Sequence, residues 1–178
     1  MEIEDLKYPI GKYEKNADPS PEILKSWIED LTHLPSRINT ITRDLSEVEL
    51  AYIYRPDGWS IKQVVHHLAD SHMNSIIRFK LALTEDEPTI RPYFEDRWAK
   101  LHDVNAVDIS ESIQILSGVH SRLVSLLQSL TDNELRRGFI HPEYNTRMSI
   151  LETIGMYAWH SNHHYAHIVQ ALKFKNNF

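Results

Sequence analysis

The sequence contains no cysteine. No disulfide can form, no thiolate can bind a metal, and no cysteine nucleophile is available. Any metal site must therefore be built from His, Asp or Glu. Only five residues are glycine, which leaves little for phosphate-cradling turns. No Walker loop, G-x-S-x-G elbow or HExxH helix occurs. No Glu is followed by His three positions later, so the di-iron carboxylate signature of helix bundles is missing. No run approaches the roughly 18 apolar residues that span a membrane. The opening MEIEDLKYPIGKYEKN is charged and lacks an apolar signal segment, so a soluble, cytoplasmic protein is expected. Lys and Arg form no block or stripe and the formal net charge is -6, which argues against a nucleic-acid partner.

The length of 178 residues fits one domain, residues 1–178. Residues 1–19 read as an extended N-terminal arm that Tyr8, Ile10 and Tyr13 could pin to the body. Apolar residues then recur at helical spacing over about 21–45, with Pro35 inside as an expected kink or split. Ser60 with Gln63 is a capping box, and Trp59 with Val64 a hydrophobic staple, for a helix running to about Leu83. A long link over 84–109 includes a short helix around 94–101. A link of that length usually crosses the body or covers a site. A third helix follows over about 110–130, then a helical turn opened by Thr131 and Glu134. Gly138 and Pro142 break the chain. Ser149 with Glu152 caps a last helix to about Lys173. Strand signals are nearly absent. Four long helices imply an all-α four-helix bundle.

Eleven residues are histidine, and seven of them fall in two segments, VVHHLADSH and WHSNHHYAHI. Histidine is the commonest metal-binding side chain. At about 100° per residue, His160 and His164 lie nearest the apolar side of the last helix. His163 and His167 lie towards its flank. Both pairs are i, i+4, the spacing that presents two imidazoles to one ion. A third ligand should come from the other segment. There His72 points inward, His67 lies on the edge and His66 points away. His67 heads a polar stripe with Ser71, Asn74 and Arg78, either a solvated face or a cavity wall. Periodicity leaves His67 and His72 both open. His33, His102, His120 and His141 are isolated and read as ordinary side chains. Ligand histidines hand their second nitrogen to an oxygen acceptor; Asp70, Asn162 and Glu152 are candidates. TIRPYFEDRW could place Arg91 and Tyr93 over a site, although an ordinary surface crossover is the plainer reading.

GWSIKQVVHHLADSHMNSIIRFKLALTEDEPTIRPY and YAWHSNHHYAHI, with YPIGKY near the start and GFIHPE before the last helix, resemble the YfiT group of the DinB superfamily. The resemblance runs nearly end to end. It implies an up-and-down four-helix bundle of unusual handedness, often a homodimer. It also implies one divalent metal per chain, zinc or nickel, on His67, His160 and His164. That choice of His67 over His72 comes from the resemblance. Three imidazoles leave a position open, as in catalytic rather than structural zinc sites. The function implied is a metal-dependent hydrolase that activates water and acts on a small molecule. The alternative is a metal-dependent S-transferase using bacillithiol or a similar low-molecular-weight thiol. Its sulfur would come from the cosubstrate, since the chain has none to offer as thiolate. A non-enzymatic metal-binding module is the third reading.

Overall fold

The structure is a computed structural model that describes residues 2–143 and 145–178. The arm is not wholly extended: it opens with a short helix, α1 (Ile3–Lys7). The bundle is then built from α2 (Pro21–Thr42), α4 (Ile61–Thr84), α7 (Ile109–Gln128) and α9 (Ile150–Phe174). Four short helices fill the connections: α3 (Glu47–Leu50), α5 (Glu95–Trp98), α6 (His102–Ala106) and α8 (Asp132–Leu135). A hairpin of β1 (Gly138–His141) and β2 (Thr146–Ser149) precedes α9. Strand spacing had not marked this hairpin, because each strand has four residues and one is largely exposed.

The helix starts follow the expected local chemistry. Ser60 and Gln63 satisfy each other's backbone donors at α4, and Ser149 and Glu152 do the same at α9. Each box fixes where its helix begins and therefore the angular position of every histidine downstream. Pro35 does not split α2, which continues unbroken around it. The missing N–H leaves the Leu31 carbonyl without its usual donor. His120 Nδ1 on α7 takes that oxygen at 2.6 Å, so a neighbouring helix supplies the bond that Pro35 cannot.

α4 and α9 pack against each other, each also packs against one of α2 and α7, and α2 packs on α7. One apolar cluster centres on Leu34, Ile38, Val65, Leu68, Leu116 and Ile168. Another centres on Leu31, Phe79, Leu123, Phe139, Ile154 and Tyr157. Among the described residues no helix is long and apolar enough to cross a membrane.

Gly155 lets α2 and α9 approach closely. A Cβ there would lie 2.8 Å from the Trp27 ring. Gly inside a helix costs about 0.5–1 kcal/mol relative to Ala, so helix propensity alone favours replacing it. The packing predicts the opposite sign. Gly155→Val should cost about 1–3 kcal/mol through overpacking, read as a lower melting temperature. An unchanged or higher Tm would show that Trp27 yields freely.

Candidate metal centre

His67 comes from α4, and His160 and His164 come from successive turns of α9. One ring nitrogen from each lies within 4.8 Å of the others. His67 Nε2 and His160 Nε2 face each other at 3.2 Å. The ring centres are 5.3, 4.7 and 4.5 Å apart for the pairs 67–160, 67–164 and 160–164. A tetrahedral zinc with bonds of about 2.0–2.1 Å holds its ligand nitrogens roughly 3.3 Å apart. The His67–His160 separation has that scale, and two lone pairs so placed repel unless a proton or a cation lies between them. The residues therefore fit a divalent ion.

The electrostatics favour neutral rings. Burial, helped by the nearby His163, pushes His67 down to about 4. Burial and then the mutual repulsion of the cluster hold His160 and His164 well below the usual histidine range. Neutral imidazole is the form that binds metal, so at neutral pH no proton has to be expelled.

The expected second partners are elsewhere. Asn162 bridges Arg37 and Asp30, tying α9 to α2. Glu152 is spent on the α9 cap and on Lys15 at 2.7 Å. Asp70 is raised to about 6 by burial and by Asp103, and it makes no ligand contact among the described side-chain hydrogen bonds. Imidazoles stand where those oxygens were expected. His164 Nδ1 lies 3.4 Å from His167 Nδ1, and His167 Nε2 lies 3.0 Å from the Lys7 carbonyl. His72 Nδ1 lies 2.9 Å from His120 Nε2. His120 is thus no isolated side chain, and His72 is a fully buried neighbour of the cluster outside its nitrogen triad.

Two angular expectations change for a shared reason. His66 was expected at the surface but is buried, with Nδ1 2.7 Å from Ser112 Oγ of α7. His163 and His167 were expected on a flank, and both are buried. The arm and the loop between α3 and α4 pack over that flank. Tyr8 lies against His163, Tyr54 stacks on His167 at 3.7 Å, and Tyr13 rests on Trp159. Single-helix angles cannot anticipate cover from a distant segment.

The three histidines line a cavity of about 480 Å³, whose walls include Tyr54, Trp59, Ser71, Arg78, Tyr93 and Tyr157. Of the stripe led by His67, Ser71 and Arg78 join it in the cavity wall, while Asn74 does not and instead donates to the Asp70 carbonyl. Trp59, the staple residue of α4, also lies against His67, with ring centres 4.7 Å apart. Of the link residues, Tyr93 lines the cavity and Arg91 does not. Arg55 and the acidic pair Glu95 and Asp96, absent from the periodicity argument, also contribute. They sit on loops and a short helix, which carry no periodic signal.

A four-helix bundle with a cluster of three histidines, open to a cavity and divided between two facing helices, defines a class of helical proteins with a candidate metal centre. The DinB superfamily profile matches residues 30–168. YfiT of Bacillus subtilis (strain 168), named "Putative metal-dependent hydrolase YfiT", is 44% identical over 166 residues, covering 93% of each chain. A Bacillus cereus (strain B4264) relative with a name of the same kind is 44% identical over 172 residues, 96% of this chain and 98% of the relative. The solved Bacillus subtilis YfiT structure, described as having an unusual four-helix bundle topology, superposes with a TM-score of 0.93 at 43% identity. That match covers 96% of this chain and 98% of the other. The chain belongs to the DinB superfamily and, within it, to the YfiT group.

Proposed function

We propose that this protein is a metal-dependent hydrolase of a small molecule, with His67, His160 and His164 holding one divalent ion, zinc in preference to nickel. The carrying observation is the convergence of three neutral ring nitrogens beside a cavity of about 480 Å³. The names of the relatives point the same way. An ion held by three imidazoles supplies Lewis acidity, which lowers the pKa of water from 15.7 to about 7.

The remaining work falls to the chain's own groups. Trp59 and the buried surroundings restrain the ligand rings. Arg78 donates to the Tyr157 hydroxyl at 3.3 Å, while its Nε is buried with no partner among the described residues. Arg78 therefore brings a fixed cation to the cavity wall, suited to an anionic substrate group or to oxygen charge that develops during acyl cleavage. Tyr93 lines the same cavity as Ser71, and burial raises its pKa, so its hydroxyl stays neutral and able to donate. The volume is that of a small-molecule pocket.

The test is turnover of a panel of small esters and amides by zinc-loaded protein, with and without bacillithiol. Cleavage independent of thiol and lost on chelation is expected. Conjugation that requires the thiol would replace this reading with an S-transferase. Unfolding on chelation with no turnover of either kind would leave a structural metal module.

A further inference from the structure

The Leu31 carbonyl, freed by Pro35, accepts from His120 Nδ1. A carbonyl only accepts, so Nδ1 carries the proton and Nε2 of neutral His120 is a lone pair. That lone pair meets His72 Nδ1 at 2.9 Å, which must then be the N–H. His72 Nε2 is left as an acceptor. It is buried and has no partner among the described residues. The ring of His160 lies alongside, its centre 5.6 Å from that of His72. His160 directs Nε2 at His67, so a neutral His160 that binds through Nε2 carries its proton on Nδ1. That Nδ1 is also buried and unpartnered. An acceptor lacking a donor thus adjoins a donor lacking an acceptor.

His164 has the same arrangement already closed. His167 Nε2–H donates to the Lys7 carbonyl, which leaves His167 Nδ1 as the acceptor facing His164 Nδ1. His164 Nε2 is then free for the site. The spacing needed at His160 is close at hand: His67 and His160, with centres 5.3 Å apart, face nitrogens at 3.2 Å.

We propose that His160 Nδ1–H donates to His72 Nε2 in the metal-loaded protein, so that two ligand histidines are each positioned by a buried imidazole chain ending on a backbone carbonyl. One chain runs from His164 through His167 to Lys7. The other runs from His160 through His72 and His120 to Leu31. The inference rests on the metal reading above. His72, His120 and His167 are positioning residues. A backbone carbonyl takes no proton, so neither chain is a proton wire; each locks a tautomer and a ring angle. Ligand histidines are usually backed by a carboxylate, carbonyl or water. A neutral imidazole backs the ligand without adding negative charge, which keeps the full charge of the ion available as a Lewis acid. Pro35 belongs to this device, since it keeps the Leu31 oxygen for His120.

Two measurements test it. Nitrogen-15 NMR of the imidazoles in the unmutated protein, metal-free and zinc-loaded, should place the His72 and His120 protons on Nδ1. On loading, His160 Nδ1–H should enter a hydrogen bond. Chelator competition should show zinc affinity falling roughly 10–100-fold in His72→Leu. His72→Gln keeps one acceptor and one donor and should recover most of that loss. A proton on His72 Nε2, or wild-type zinc affinity in His72→Leu, would overturn the proposal. Should His72→Leu fail to fold, the tautomers of the unmutated protein decide. Should the unmutated protein bind no zinc, the metal reading fails, and the metal-free tautomers still report on the two chains.

Discussion

Alanine at His67, His160 or His164 is expected to strip the protein of its ion. Structural zinc sites are worth about 10–16 kcal/mol for four ligands, or about 3 kcal/mol each. Loss of one ligand should therefore weaken binding by about a hundredfold or more. His66→Ala is the matched control. His66 precedes a proposed ligand in the chain, yet its Nδ1 is held by Ser112 on α7. Its metal content should stay near wild type. Metal analysis of the four purified variants reads the result, and full occupancy in His164→Ala would contradict the assignment.

Acid is expected to unfold the metal-free protein between about pH 6.5 and 4. Burial holds His67, His120 and His163 at about 4 and His167 at about 3. His72, His160 and His164 lie well below the usual value for the same first reason. The ordinary value of 6.5 applies once the chain unfolds. Below pH 6.5 the unfolded chain binds protons that the folded chain refuses. Stability is thus complete above 6.5 and falls as pH descends towards the folded values. At pH 5, His67 and His120 alone would each cost about 2 kcal/mol. Domains hold only about 5–15 kcal/mol in reserve, and seven buried rings share this behaviour. Circular dichroism across pH should show a steep, multi-proton transition. Added zinc should move its midpoint lower, because the ion binds the neutral rings of the folded form. A flat signal to pH 4 would show that the rings titrate without unfolding.

The legible parts of the chain were those governed by local rules. Ser60 with Gln63 and Ser149 with Glu152 marked the two helix starts that orient the histidines. Helical spacing brought His160 and His164 onto one face. What spacing could not decide was the choice between His67 and His72. Both lie close to α9, and they differ in what their nitrogens meet: His67 meets His160, and His72 meets His120. Those are contacts between helices, invisible along one helix. The arm cover over His163 and His167 depends on residues about 150 positions away, such as Lys7 and Tyr8. Pro35 shows the same limit from the other side. A local rule reads it as a break, yet His120, 89 positions from Leu31, compensates.

The central claim is that His67, His160 and His164 hold one divalent ion with a position left for substrate. X-ray absorption at the zinc edge of the loaded wild-type protein tests it most directly. The predicted spectrum has one zinc per chain bound by three imidazole nitrogens at about 2.0–2.1 Å, completed by an exchangeable oxygen. No stoichiometric zinc, or a shell with fewer than three imidazoles, would contradict it.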